Sequence, residues 1–394
     1  MIIIYLITNG LIITENEILK DHEVLVNGDR IERIAKKGEI YTFGIEVIDA
    51  NGGYVSPGFI DIHSDYIETM AAPRPTSLMD FTLSIREAEK ILINQGITTM
   101  FHSLSLYKKD DFTFKPIRFT ENVRKLIDVI ESTHTNKHLI RHRFHARFEI
   151  DNLSEVENLK TYIKEGKVHL VSFMDHSPGQ GQYRNLEVYR NTLRGYQDMT
   201  DEEISSLIEN HNTKNKCTID TIKEIARLAI EKDIAVASHD DDSVEKLDLV
   251  KTCGAGISEF PITLEVAQHA REMGMHTLAG APNVLLGGSH SGNLSAAEAV
   301  LNNTIDMLCS DYYPPAMLHA VFALHEKYGR DLCEMFKLVT INPAKAVNMD
   351  NLIGSIKEDK KADILIIEKI DGDFPVITTV LVDGKLISST NYRI

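Results

Sequence analysis

Cysteine is scarce: Cys217, Cys253, Cys309 and Cys333 are the four in 394 residues. No two are close enough for a CxxC pair, which argues against a zinc ribbon or a disulfide framework and for reduced thiols in the cytoplasm. All four lie in helix-like or strand-interior contexts and read as core. Long apolar runs are also missing, and nothing approaches the roughly 18 consecutive apolar residues of a membrane span. Ile2 to Ile7 is apolar, but Thr8-Asn9-Gly10 ends that run. With no basic segment and no small-residue cleavage site, a secretory signal is not expected. Positive charge is short, with 42 Lys+Arg against 58 Asp+Glu and a net charge of −16. That balance disfavours a broad grip on nucleic acid or on an anionic membrane. An anionic small molecule would need metal ions or a local cluster of Arg and Lys. No complete G-x-G-x-x-G, P-loop or G-x-S-x-G motif occurs, so Gly179-Gln180-Gly181 and Gly254-Ala255-Gly256 read as turns.

What is present is an ordinary globular composition, 43% hydrophobic and 25% charged. The length exceeds the roughly 250–300 residues that one core organises, so a large domain and a smaller one are expected. Residues 1–56 read as short strands with turns at Asn9-Gly10 and Asn27-Gly28. The last part reads the same way: Ala362 to Ile367 is a buried-strand run, and Asp383-Gly384 turns a hairpin. Between them, strand and helix alternate. The candidate strands are Phe59–Asp65, Thr98–Leu104, Arg143–Glu149, His169–His176, Ile234–Asp240, Ile257–Pro261, His276–Ala281 and Met307–Tyr312. In Asp220–Lys232 the apolar residues Ile222, Ile225, Ala226, Ala229 and Ile230 recur at helical spacing. Ser84 with Glu87 and Ser295 with Glu298 read as capping boxes, and Gly96 as a helix stop. Eight such units predict an α/β fold, a (β/α)8 barrel over 57–347, with an open doubly wound sheet as the competing arrangement. Residues 348–394 would join 1–56. The stretch 177–218 is too long for a βα loop and rich in Gln, Tyr, Asn and Arg. It reads as a lid at the C-terminal face, or as an inserted helical hairpin without a role.

The sixteen histidines matter by position. Polar residues collect where the proposed strands end: His63-Ser64-Asp65, Asp175-His176, His239-Asp240-Asp241-Asp242 and Ser310-Asp311-Tyr312-Tyr313. His145, Arg147 and Glu149 are spaced by two and share one side of their strand. Strand ends of a barrel converge on one face, and converging imidazoles and carboxylates suit Zn²⁺, or Mn²⁺ and related ions. One such histidine alone would be an ordinary core residue; five strand ends of the same character point to a site.

The run Val55-Ser56-Pro57-Gly58-Phe59-Ile60-Asp61-Ile62-His63-Ser64-Asp65 resembles the entry into the first strand of the amidohydrolase superfamily. Gly354-Ser355-Ile356 with Lys361-Ala362-Asp363-Ile364 resembles its later return. That resemblance implies a distorted (β/α)8 TIM barrel beside a small β-sandwich formed by both chain ends. The superfamily's His-x-His is here His63-x-Asp65, and its strand-four lysine is missing. Longer stretches resemble the PhnM-type family of the carbon–phosphorus lyase pathway: MDHSPGQ (174–180), SHDD (238–241), GAPN (280–283), GGSHSGN (287–293) and SDYYP (310–314).

The resemblance implies hydrolysis of α-D-ribose 1-methylphosphonate 5-triphosphate to the 5-phosphate and diphosphate, with two divalent metal ions, Zn first and Mn or Fe as alternatives. It assigns His63 and Asp65 to one ion, His176 and His239 to the other, and Glu149 as a bridge. Asp311 would be a ligand and would also take a proton from the attacking water. Arg74, Arg143, Arg147 and Arg184 are candidates for phosphate or phosphonate contacts, each equally readable as structural. His290 could face an oxyanion and Tyr312 the sugar. The partner expected is therefore a small ribosyl triphosphate, with no nucleic acid and no membrane. The oligomeric state stays open, a homo-oligomer included. Another amidohydrolase activity, as a deaminase or cyclic-amide hydrolase, and a non-catalytic scaffold are the competing readings.

Overall fold

The structure is a computed structural model that describes residues 4–74, 76–106, 116–196, 200–212, 215–288 and 293–393. Eight parallel strands form its central sheet: β1 (Phe59–Ser64), β2 (Ile97–Leu106), β3 (Arg141–Glu149), β4 (Leu170–Met174), β5 (Ala235–His239), β6 (Ile257–Glu259), β7 (His276–Gly280) and β8 (Met307–Cys309). Each pairs with its neighbours in sequence, so the sheet runs in chain order. Each corresponds to one strand expected from the sequence. The barrel closes between β8 and β1 at a single bridge, Ser64 with Asp311. There the Asp65 amide donates to the Asp311 carbonyl at 3.0 Å, and the Asp311 amide to the His63 carbonyl at 3.2 Å.

Inward residues are layered by the two-residue period of the strands. Phe101, Leu170, Ala237, Ile257, Leu278 and Met307 form a buried apolar layer. Two residues further along four of those strands come Ser103, Ser172, His239 and Glu259, a buried polar layer. The pairing of β1 with β2 shifts register between Asp61 and Ser64. Such an irregularity re-aims side chains. Ile62 joins the apolar layer while His63 reaches the polar one. The outward Phe144, Ala146 and Phe148 of β3 pack into the larger core shared with the surrounding helices.

The helices follow their caps. The helix expected to start at Ser84 begins at Phe81, because the Asp80 carboxylate accepts from the Leu83 amide at 2.8 Å and Ser84 only returns its hydroxyl to the Asp80 carbonyl. Ser295 caps Ala296–Leu301 as expected, accepting from the Glu298 amide. The long stretch after β4 is a helical hairpin, Leu186–Tyr196 and Asp201–Asn212, with its own core of Tyr189, Leu193 and Ile204.

Both chain ends build two further sheets. One holds Ile4–Thr8, His22–Asn27, Arg30–Lys36 and Glu46–Asp49; the other holds Leu11–Ile13, Ile18–Leu19, Tyr54–Pro57, Ile364–Ile370, Phe374–Val382 and Lys385–Ser389. Ile7, Val24, Val26, Val55, Ile364 and Leu381 bury a common core between them. The hairpin turn at Asp383-Gly384 has φ of +47° and +68°. A Cβ at Gly384 would lie 1.9 Å from the Gly28 carbonyl oxygen, so only glycine fits there. Among the described residues no helix is long and apolar enough to cross a membrane.

Candidate metal centre

Two groups of buried ligand-type side chains sit at the strand ends: His63, His145 and Glu259, and His176, His239 and Asp240. The second is assembled by a turn. After β5 ends at His239, Asp240 adopts φ +51°. Asp tolerates this left-handed region better than most residues. Lys246 braces the turn, donating to the carbonyls of His239 at 2.9 Å and Asp240 at 3.0 Å. The Asp240 carboxylate thereby folds back over the strand end, with Oδ2 3.1 Å from His239 Nδ1 and 3.6 Å from His176 Nε2. Burial opposes its ionisation, yet the flanking His239 and His176 rings hold it well below the usual carboxylate range.

Glu149, at the end of β3, accepts from His176 Nδ1. That bond leaves Nε2 of His176 facing Asp240. Arg147, two residues earlier, points Nη2 at His239 Nε2 from 3.5 Å. Asp311 follows β8 with φ +56°. Burial and the nearby Asp65 push its carboxyl up to about 7, against the opposing pull of Arg147.

The donor set fits a divalent cation. Imidazole nitrogens and carboxylate oxygens converge, and among the described residues His239 Nδ1 and Asp240 Oδ2, buried 3.1 Å apart, make no aligned hydrogen bond. Buried orphan polar atoms are costly, and a bound cation would satisfy both at once.

The structure brings His63, Arg147, Glu149, His176, His239 and Asp311 to one end of the barrel. His63 and His239 have ring centroids 5.3 Å apart, and His176 and His239 5.7 Å. Asp65 stands beside them just past β1, its carboxylate 3.9 Å from Arg118, which also grips Glu68. Tyr312 is 45% exposed beside Asp311. Arg74 and Arg184 are exposed, and Arg184 donates to the Asp242 carbonyl at 3.3 Å. His290 lies outside the described residues. Arg143 is a correction. It stands at the start of β3, six residues and about 20 Å of strand from Glu149. Its guanidinium donates to His134 Nε2 at 2.7 Å on the barrel floor, so it cannot reach a substrate at the mouth.

Sequence reasoning left Asp240 out of the ligand assignments and gave Glu259 no role. A carboxylate within the run His239-Asp240-Asp241-Asp242 was a visible signal, but only the left-handed turn selects Asp240. Asp241 is instead buried structurally, accepting from the Ser238 and Ser258 hydroxyls.

The sequence pattern of the amidohydrolase family matches residues 182–387, and that of the NagA composite domain residues 4–55. With the closed barrel, the two-ended sandwich and the buried donors at the strand ends, this chain belongs to the amidohydrolase family and is a hydrolase. Its particular kinship is with the α-D-ribose 1-methylphosphonate 5-triphosphate diphosphatase of Escherichia coli K12, 33% identical over 376 residues, covering 93% of this chain and 96% of that protein. A dihydroorotase of Staphylococcus epidermidis is 50% identical over 58 residues, 15% of this chain and 13% of that protein. Among solved structures, molinate hydrolase superposes with a TM-score of 0.67 at 14% identity, covering 98% of this chain and 94% of that one. N-acetylglucosamine-6-phosphate deacetylase of Pasteurella multocida does so at 0.64 and 13% identity, covering 98% of this chain and 100% of that one. Identities this low speak to the fold alone.

Proposed function

We propose that this enzyme hydrolyses α-D-ribose 1-methylphosphonate 5-triphosphate, releasing diphosphate and leaving the ribosyl 5-phosphate. The observation that carries the reading is the 33% identity with the Escherichia coli diphosphatase over nearly the whole of both chains. His63 and Asp65 would hold one divalent ion, and His176, His239 and Asp240 a second, with Glu149 between them and Asp311 against the first. Such a pair, Zn²⁺ in this reading with Mn²⁺ or Fe²⁺ as alternatives, lowers the pKa of bound water and polarises a phosphoryl oxygen.

The chain's own groups supply the rest. Asp311 accepts the proton of the attacking water as its oxygen bonds to the α-phosphorus. The bond from the α-phosphorus to the oxygen bridging it to the β-phosphorus breaks, and diphosphate leaves with that oxygen. Arg147 offers positive charge beside the transferring group. Tyr312 lines the sugar side, and the exposed Arg74 and Arg184 meet the outer phosphates. In this reading the enzyme works in the cytoplasm, where free thiols such as the buried Cys217, Cys253, Cys309 and Cys333 persist.

Phosphorus NMR of the purified protein with the ribosyl triphosphate tests the reading. It expects diphosphate and a 5-phosphate. Orthophosphate alone, or an unchanged triphosphate, overturns it. The short match to dihydroorotase favours a cyclic-amide hydrolase as second reading. Turnover of a cyclic amide with the triphosphate untouched would establish that one instead.

A further inference from the structure

Glu259 ends β6 with its carboxylate fully buried inside the barrel. Barrel interiors are usually filled by branched apolar side chains, and burying a charge is expensive unless it is fully hydrogen-bonded. Here it is. His63 Nδ1 lies 3.0 Å from Oε1, and the Ser172 hydroxyl donates to Oε2 at 2.7 Å. The network continues through His145, whose Nε2 meets Ser172 Oγ and whose Nδ1 meets Ser103 Oγ at 2.9 Å. Ser103 Oγ in turn accepts from the Ser64 amide at 3.0 Å.

The protons along this chain can be assigned from the carboxylate outward. A carboxylate only accepts, so His63 carries a proton on Nδ1 and Ser172 gives its single hydroxyl proton to Oε2. Ser172 must then accept from His145 Nε2–H, and Ser103 donates to His145 Nδ1. Both rings are neutral in this arrangement. The Phe260 ring meets His63 edge-on with centroids 4.9 Å apart, which fixes the ring plane.

We propose that Glu259 is a positioning residue: it holds His63 as the Nδ1–H tautomer and so turns the Nε2 lone pair toward the metal centre. The role rests on His63 being a ligand, as the proposed function has it. His63, His145 and Glu259 could be taken for an ion site of their own, since their donor atoms are mutually close. The two groups differ, however. Both oxygens of Glu259 and both nitrogens of His145 are satisfied within the protein. In the other group His239 Nδ1 and Asp240 Oδ2 face each other at 3.1 Å but, among the described residues, make no aligned hydrogen bond. The first group is therefore a support and the second a donor set. Carboxylate partners of ligating histidines fix tautomer and orientation, and losing one costs about 10–100-fold in metal affinity.

The test uses the whole chain. In metal-free protein labelled with ¹⁵N-histidine, the His63 ring, assigned by its loss in His63→Gln, should show the Nδ1–H tautomer. Glu259→Leu should weaken Co²⁺ binding about 10–100-fold in chelator competition, with an unchanged visible spectrum at saturation. Glu259→Gln, whose amide oxygen still accepts from Nδ1–H, should restore most of that affinity. An Nε2–H tautomer in the wild type, or a Leu variant that binds Co²⁺ as tightly as the parent, overturns the proposal. So does a Gln variant as weak as Leu with an altered Co²⁺ spectrum, since Glu259 would then be a ligand itself. If Glu259→Leu does not fold, the wild-type tautomer and the Gln variant decide. A wild-type chain that takes up no Co²⁺ overturns the metallohydrolase reading, and the positioning role falls with it; failure confined to the variants overturns the positioning alone.

Discussion

Arg141 and Asp363 join the barrel to the sandwich through a bidentate pair. Arg141 Nη2 donates to Oδ1 at 3.1 Å, and Nη1 to Oδ2, across 222 residues of sequence. Arg141 is 8% exposed and Asp363 4%, and Asp383 adds a further carboxylate. Removing one partner of a buried pair strands the other, at about 3–5 kcal/mol. Arg141→Met is expected to lower stability by that order while leaving the metal content of the folded fraction unchanged. Urea unfolding, with elemental analysis of the native fraction, checks it.

His134 on the barrel floor gives a pH dependence of stability. Burial, then Arg143, lowers its pKa to about 4, so the folded chain carries it neutral. The groups facing it are Arg143, His138, His142 and Arg141. In the unfolded chain it titrates near 6.5. The contribution is therefore complete above about 6.5, is lost as pH falls toward about 4, and does not change further below. The ring is only partly buried, so the loss between pH 7 and pH 5 is about 1 kcal/mol. Denaturant midpoints should fall less over that interval in His134→Gln than in the parent. Equal falls would contradict the assignment.

Asp311→Asn should fold like the parent, because asparagine also accepts the left-handed φ of +56° found there. It cannot take a proton from water. Turnover should drop by about 10²–10⁴-fold. Asp311→Ala should lose the same activity and also stability, since alanine is strained at that φ. Comparing kcat and melting temperature of the two variants separates the chemical role from the backbone one.

Gly181, at the start of the helical insertion, lies against the turn that carries Asp240. Its φ is +52°, and a Cβ there would meet Asp240 Cβ at 3.0 Å. The Gly181 amide also donates to the Asp242 carboxylate at 2.8 Å. Gly181→Ala should push Asp240 from its place and lower kcat/KM by on the order of 10–100-fold. Its metal affinity should fall in parallel, measured by chelator titration. An unchanged affinity would remove Asp240 from the ligand set.

Much of this was legible because strands repeat every two residues. His145, Arg147 and Glu149 had to share one side of β3, and all three do face the barrel interior. The same parity misled for Arg143. Period gives the side of a sheet but not the height along the barrel, and Arg143 sits four residues below Arg147. Asp240 was hidden for a different reason: a reversed turn, not a strand, aims it. The Glu259–His63 contact spans 196 residues, and no local pattern carries such a pairing. The helical insertion was visible as a break in rhythm, while its position against Asp240 depends on one glycine at a close approach.

The last strand meets the first at one rung, Ser64 with Asp311. His63 and Asp65 stand on one side of that join and Asp311 on the other. The wall of the cylinder is thus buttoned where these side chains face each other. The Ser64 hydroxyl also donates to the Asp311 carbonyl at 2.7 Å, so the backbone that closes the hoop is the backbone that sets where the Asp311 carboxylate stands. A substitution tolerated for its shape must still hold the joint, and one that strengthens the joint must still leave room for the cargo. Sequence drift at the join between Ser64 and Asp311 therefore answers to two masters at once.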